Sequence, residues 1–466
     1  MTGFRLYRAN FDEKDFRTGD IDFVVEDSNK NGNYISLIIG NNGTGKSRVL
    51  SNIARYFVEE FKQRPKGFFG SEFKFDQLPD KVIAVTNSIS DKFPIDESFR
   101  PSETNNVFFR DFKYTYLGTR NRVNSFSNKA LMNRALDIIF ENYSELDISR
   151  NYRHVFDYLD YEPILKLEFK ISSKLYSYAS GAITPNELFS FIDNNRASDR
   201  FRRYSIDKYK EIVNNQIDEL CNFINEYRER KSEILINFSE KNISRLEYDN
   251  SRYIDNVHSY NLLGILRKLD IVRDVEIKVY KKGGSEFNFR DSSSGEANIL
   301  STLIALIPLI ENNSLVLIDE PEISLHPLWQ SKYISLLNQI FSGFNGCHII
   351  IASHSHFLVT DLRPKESSVI TLNYNKKGIL KSDPIKESTF GWSTEEILYN
   401  VFKVKTTRNY FIESDLVDLL GLISENSKET GKIRSLVESL ESLHISENDP
   451  LNAVIEEANA YLKEND

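Results

Sequence analysis

A chain of 466 residues exceeds a usual single domain, and a 40% hydrophobic share with 12% aromatics can bury more than one core, which excludes disorder. The net charge of −9 gives no general attraction to nucleic acid, although a local basic groove stays compatible with it. Cys221 and Cys347 stand too far apart for a zinc pattern, Ser301, Thr302 and Pro308 interrupt the longest apolar run, and Met1 to Arg5 lacks a signal-peptide character, so a cytoplasmic, membrane-free protein is expected.

Residues Phe4 to Val25 alternate in strand-like runs broken at Thr18-Gly19-Asp20, and Asp27 to Asn33 forms a polar turn cluster. The apolar run Tyr34 to Ile39 then enters Gly40-Asn41-Asn42-Gly43-Thr44-Gly45-Lys46-Ser47, after which a helix is expected towards Phe61. Strand, glycine-rich turn and helix in this order read as a phosphate-binding P-loop. The glycines let consecutive amides face the phosphates, and the helix turns its positive N-terminal end to them. Lys46 is expected to reach the β and γ phosphates of ATP or GTP, with the Ser47 hydroxyl on Mg²⁺.

The next strand is expected at Val82 to Val85, followed by Thr86-Asn87-Ser88. From Phe93 to Leu269 nucleotide motifs are absent. Ile206, Tyr209, Ile212, Val213, Ile217, Leu220, Cys221, Ile224 and Tyr227 share one helical face there, so a mostly helical insertion is expected, compact because sustained heptads are missing. Arg196, Arg200, Arg202, Arg203, Lys208 and Lys210, interleaved with Phe201, Tyr204 and Tyr209, read as a solvated helix start, with phosphate contact as the alternative. Arg120 and Arg122 read as surface residues, with nucleotide contact across an interface as theirs.

Val275 to Tyr280 and Glu286 to Phe289 read as a hairpin around Lys281-Lys282-Gly283-Gly284. It leads into Asp291-Ser292-Ser293-Ser294-Gly295-Glu296 ahead of the apolar run Ile299 to Ile310. That stretch fits an ordinary N-cap, and equally an anion site in which the Ser293 hydroxyl and the amides near Gly295 take a γ-phosphate. Leu315 to Ile318 reads as a buried strand ending in Asp319-Glu320-Pro321: Asp319 is suited to the Mg²⁺ shell, Glu320 to orienting or deprotonating an attacking water. A helix from Pro327 to Phe341 supplies the crossover to the strand His348 to Ala352, which ends in Ser353-His354-Ser355. From Ser393 short helices follow at Thr394 to Phe402, Ile412 to Ile423, Ile433 to Leu443 and Pro450 to Leu462, an acidic region read as a partner surface or a structural cap.

These elements, in order and spacing, resemble the P-loop, signature motif, Walker B strand and switch histidine of ABC-type ATPases. The resemblance implies an α/β fold: a mixed sheet with a P-loop core and an antiparallel β part, a helical insertion and a helical C-terminal region. Residues 1–95 and 271–375 would form the head, 96–270 the insertion and 376–466 the helical end. It further implies that two copies sandwich two ATP molecules, Gly40 to Ser47 of one copy facing Ser293, Ser294, Gly295 and Glu296 of the other. Ser47 and Asp319 would hold Mg²⁺, and Glu320 and His354 would serve catalysis. ABC heads also carry a glutamine after the strand following the P-loop helix; Gln77 precedes that strand here, so either Asn87, Ser88 or Asp91 substitutes or the metal coordination differs.

Within this class, Lys81 to Phe93, Leu117 to Arg122, Ser353 to Val359, Phe390 to Leu398 and Thr407-Arg408-Asn409 resemble the PtuA ATPases of Septu anti-phage systems, including those accompanying retrons. That resemblance implies a homo-oligomeric scaffold, a dimer or a multiple of dimers, restraining a separate HNH nuclease; nucleic acid is a further partner class left open. The residues after His354 carry no Asp-x-Asp pair of a TOPRIM nuclease. The alternatives are the ATPase of a PARIS-like system regulating a TOPRIM nuclease, a RecF-like or Rad50-like DNA-repair clamp, and a scaffold in which nucleotide serves only as structural glue.

Overall fold

The structure, a computed structural model, describes residues 3–13, 16–25, 32–62, 71–88, 91–95, 113–118, 128–141, 149–178, 181–194, 200–228, 233–238, 245–248, 252–376, 378–404, 410–425, 427–443 and 449–465. Every residue of Tyr34–Ile39, Leu315–Asp319 and His348–Ser353 is buried, as strands covered on both faces require. They lie in a seven-stranded sheet ordered Leu380–Pro384, Ser367–Tyr374, Tyr34–Ile39, His348–Ser353, Leu315–Asp319, Val82–Thr86, Tyr114–Leu117. All neighbours run parallel except the edge strand Leu380–Pro384, which pairs antiparallel with Ser367–Tyr374. The fold is therefore α/β with a mixed, mostly parallel sheet. Ser353 pairs with Ile39, and Asp319 with both Ala352 and Thr86. The residues leaving these four strands thus gather at one edge, the carboxyl end at which such sheets bind ligands.

Helix Lys46–Phe61 buries Val49, Leu50, Ile53, Ala54 and Phe57. One apolar cluster joins these to Ala84, Leu317, Ile350 and Ile370 of the large sheet and to Phe4 and Phe11 of the N-terminal region. Phe57 meets Phe4 at 5.7 Å and Phe75 at 5.4 Å between ring centres. Burying one such ring contributes about 2–3 kcal/mol, so the P-loop is anchored from both sides of its helix. The N-terminal strands Ile21–Asp22, Leu6–Asn10 and Glu72–Phe75 form a three-stranded antiparallel sheet. It is tied to the large sheet through fully buried His348, whose Nδ1 accepts from the Leu6 amide at 3.1 Å and whose other nitrogen lies 2.8 Å from the Ser36 hydroxyl. Burial holds the His348 pKa well below the ordinary histidine range, keeping it neutral and able to accept.

The stretch expected to be mostly helical also contributes strands. Tyr161–Ile171 is flanked by Glu233–Asn237 and Val272–Lys281 in a four-stranded antiparallel sheet that ends on Glu286–Asn288. Its Leu165, Leu167 and Phe169 are buried, while Lys166, Glu168 and Lys170 alternate with them, the period-two pattern of a half-buried strand. The expected hairpin is present, with Gly283 and Gly284 in the left-handed region at φ 101° and 100°. It aims the chain into the signature segment.

By internal contacts the chain divides into Met1–Trp392 and Ser393–Asp466. The second unit contains helices Thr394–Asn400, Tyr410–Ser424, Thr430–Glu441 and Pro450–Asn465, with Leu419, Ile433, Val437, Leu440, Leu451, Ile455, Ala458 and Leu462 as its core. Among the described residues no helix is long and apolar enough to cross a membrane.

Candidate functional site

Gly43 and Gly45 adopt φ values of 79° and 89°, a backbone region that costs a residue with a side chain roughly 1 kcal/mol or more. Thr44 closes the loop on itself: its hydroxyl donates to Asn41 O at 2.8 Å and its amide to the same oxygen at 3.2 Å. Helix Lys46–Phe61 starts directly from Gly45, which offers no side-chain cap, so its first amides are left to a ligand.

Buried Lys46 donates to Gly40 O at 2.8 Å, Asn41 O at 3.3 Å and Nε2 of His354 at 2.7 Å. Burial lowers its pKa to about 8 against the attraction of Glu320, Glu322 and Asp319. His354 is pulled below its ordinary value, first by burial and then by Lys46, so it accepts as the neutral ring. The Ser47 hydroxyl donates to Asp319 Oδ1 at 3.0 Å. Asp319 is 1% exposed, and its Oδ2 is buried with no hydrogen-bond partner. Burial raises its pKa to about 7, with Glu320, Asp91 and Glu322 adding to the rise.

Glu320 takes the left-handed backbone at φ 49°, held by its amide donating to Ala352 O at 2.9 Å. Its carboxylate lies 3.9 Å from His354 Nε2. This strained turn swings Glu320 out of the strand direction that Asp319 follows, so adjacent acids take different places. Sequence reasoning missed Glu322, which accepts from the His354 amide at 2.5 Å and fixes the backbone carrying that ring. Burial raises its pKa. Gln330 works on the next residue: its Oε1 accepts from the Ser355 hydroxyl at 2.6 Å while its Nε2 donates to Leu325 O at 2.9 Å. The P-loop, Glu320 and His354 line a cleft of about 630 Å³ that runs along the helix past Arg48 and Arg55 to Lys92, within the size range of ligand pockets.

The signature segment forms helix Ser294–Leu306 with a full capping box, Ser293 Oγ accepting from the Glu296 amide and Glu296 accepting from the Ser293 amide. Such a cap contributes about 1 kcal/mol, so the N-cap reading of these residues is part of their role. A side-chain carbon on Gly295 would fall 2.2 Å from Ser324 O, so only glycine lets the helix start approach the loop after the Asp319 strand. The neighbouring Ser292 is buried, with its side chain beside that of Tyr161.

Of the three candidates for the missing glutamine, Asp91 is committed to the Tyr116 hydroxyl at 2.8 Å and the Phe93 amide at 3.0 Å, and Ser88 donates its amide to Thr86 Oγ1 at 3.0 Å. Asn87 is buried with an unpartnered Oδ1 beside the Asp319 strand. Arg120, Arg122, Arg196 and Thr407-Arg408-Asn409 lie outside the described residues, as do the side chains of Arg200, Arg202, Arg203, Lys208 and Lys210.

Residues 35–360 match the family model described as "AAA domain, putative AbiEii toxin, Type IV TA system". The chain belongs to that family. Its mostly parallel sheet around the P-loop strand is the α/β arrangement of an ATPase head. The chain is 23% identical over 392 residues to the "Retron Vc95 probable ATPase" of Vibrio cholerae serotype O1 biovar El Tor, covering 73% of this chain and 70% of that protein. It is 27% identical over 124 residues to the "Septu protein PtuA" of Bacillus thuringiensis, 26% of this chain and 31% of that one, so this second likeness spans about a third of the relative's length. Among solved structures, the Smc head domain from Pyrococcus furiosus aligns over 86% of this chain and all of its own length, at 10% identity and a TM-score of 0.31.

Proposed function

We propose that this chain binds and hydrolyses ATP between two copies of itself and uses that cycle to hold and regulate a separate nuclease of the HNH class in anti-phage defence. The observation that carries the catalytic half is the convergence of Lys46, Ser47, Glu320 and His354 on one cleft, with buried Asp319 hydrogen-bonded to Ser47 behind it. Lys46 and the P-loop amides bind the β and γ phosphates. Glu320 takes a proton from the water that attacks the γ-phosphorus as the bond to the ADP oxygen breaks, and His354 hydrogen-bonds the phosphoryl oxygens. Ser293 to Glu296 of the second copy approach the same γ-phosphate. Because these contacts from two subunits exist only while the triphosphate is intact, hydrolysis loosens the interface.

The residues present fit Mg²⁺: the Ser47 and Asp319 oxygens are hard donors, and the orphaned Asp319 Oδ2 lacks the partner that a buried acceptor requires. Bound there, the cation would neutralise charge building on the phosphates. Since the Asp319 pKa is raised to about 7 and that of Lys46 lowered to about 8, a cation must displace a proton at lower pH, and the lysine charge is lost at higher pH. Mg·ATP affinity measured by calorimetry is expected to be greatest between these two values and to fall by up to about tenfold per unit on the acid side. In Asp319→Asn the acid wing disappears and affinity drops at every pH. An unchanged acid wing in that variant would remove Asp319 from the metal site.

The regulatory half is supported by the likeness to the retron ATPase and to PtuA. Expressed with its genomic neighbours, the chain is expected to copurify with an HNH protein. Recovery of a TOPRIM protein would favour the PARIS-like alternative, and hydrolysis stimulated by DNA in the isolated chain would favour the repair clamp.

A further inference from the structure

Phosphates held by Lys46 and Ser47 occupy one end of the cleft. The other end continues along helix Lys46–Phe61, where Arg48, Ser51, Asn52 and Arg55 line it from the helix and Lys92 from the facing segment. Arg48, Asn52 and Arg55 are spaced at i, i+4 and i+7 and so share one helical stripe. Helical side chains lean towards the N-terminal end of their helix, which brings the Arg55 guanidinium back over the turn of Ser51, towards the phosphates. It donates to the Lys92 carbonyl at 3.4 Å, the oxygen that also accepts from the Ser51 hydroxyl at 2.5 Å. With Asp91 bound to the Tyr116 hydroxyl and Phe93 in the apolar cluster, Lys92 is anchored through its backbone while its side chain stays exposed. Among the described residues no carboxylate pairs with Arg55 or Lys92. Asn52 is fully buried, and neither its Oδ1 nor its Nδ2 has a hydrogen-bond partner. Burial without a partner is costly for a polar group, so a cleft-lining amide in that condition marks a place that a ligand fills.

Two cations without a carboxylate require an anion, and the amide narrows its chemistry. Nδ2 needs an acceptor and Oδ1 needs a donor. Hydrogenphosphate supplies both, since it carries charged oxygens and a hydroxyl, and guanidinium and ammonium groups suit its oxygens. A fully ionised oxyanion such as sulfate offers acceptors alone. We propose that this arm of the cleft is an inorganic-phosphate subsite, separate from the γ-phosphate position, which receives the phosphate released by hydrolysis before it leaves the protein. The proposal rests on the reading of the cleft as a hydrolysing nucleotide site and adds the place to which its smaller product goes.

Calorimetry on the full chain saturated with Mg·ADP, titrated with inorganic phosphate or with sulfate, tests the subsite. At neutral pH phosphate is expected to bind at least about tenfold more tightly than sulfate, because a site that hydrogen-bonds a hydroxyl leaves Oδ1 of Asn52 unpaired when the hydroxyl is missing. Asn52→Leu should remove that preference. Arg55→Gln, at an exposed position where the fold tolerates the change, should weaken phosphate binding by about tenfold. Neither change should move Mg·ADP affinity by more than about twofold, since both residues lie beyond the P-loop. Phosphate held as tightly by Arg55→Gln as by the unaltered chain would place it at the γ position and overturn the subsite, as would equal affinity for sulfate. A chain that binds Mg·ADP but no phosphate also overturns the subsite and leaves the nucleotide site standing. A chain that binds neither removes both readings together.

Discussion

Replacing Lys46 with alanine is expected to reduce ATP affinity by about two to three orders of magnitude, the scale of removing one partner from a buried charged contact. The ammonium is buried and braced by Gly40 O and Asn41 O, so it is held at the mouth of the loop with its charge directed at whatever the loop encloses. Burial has already made that charge costly, as the lowered pKa shows. An arriving triphosphate supplies the compensation, and alanine removes it. The same change deletes two hydrogen bonds to the loop, worth about 1 kcal/mol each, so the loop also loses preorganisation. Equilibrium dialysis with labelled ATP checks the result, with circular dichroism confirming that the variant is folded. Affinity within about threefold of the unaltered chain would mean that the loop does not hold phosphates.

Glu320→Gln should behave in the opposite manner, sparing binding and lowering the hydrolysis rate by about 10²- to 10⁴-fold, the usual contribution of a positioned base. Glutamine keeps the size of the side chain, and the left-handed backbone at this position is set by the amide bond to Ala352 O, which the substitution leaves in place. What changes is the ability to accept a proton. Removing one negative charge beside the buried carboxyls of Asp319 and Glu322 should, if anything, favour the γ-phosphate. Steady-state phosphate release decides the matter. Turnover within a few-fold of normal would transfer the base role elsewhere, with His354, 3.9 Å away, as the candidate.

The parts of this site that could be read in advance are those encoded locally. Gly40 to Ser47 form their loop from adjacent residues, and Leu315 to Glu320 is a buried strand with its acids at the exit, so spacing alone places them. The parallel pairing of Leu315–Asp319 with His348–Ser353 followed because parallel strands need a helical crossover. Glu322 could not be assigned, since its partner is a backbone amide at position 354 brought there only by the pairing of two strands. Asp91 was a candidate ligand in the sequence and is instead bound by Tyr116, from a strand whose neighbour the sequence does not announce. The alternation in Leu165, Leu167 and Phe169 was visible but overshadowed by the longer helical face of residues 206 to 227.

Self-association under trapped conditions tests the central claim most directly. The Glu320→Gln protein, measured by sedimentation equilibrium with Mg·ATP and again with Mg·ADP, should double its mass, or double the size of its resting assembly, with ATP alone. Substituting Ser293 with arginine, which fills the helix start meant for the partner's phosphate, should abolish that step while leaving ATP bound. An unchanged mass at saturating ATP would contradict a site shared between two copies.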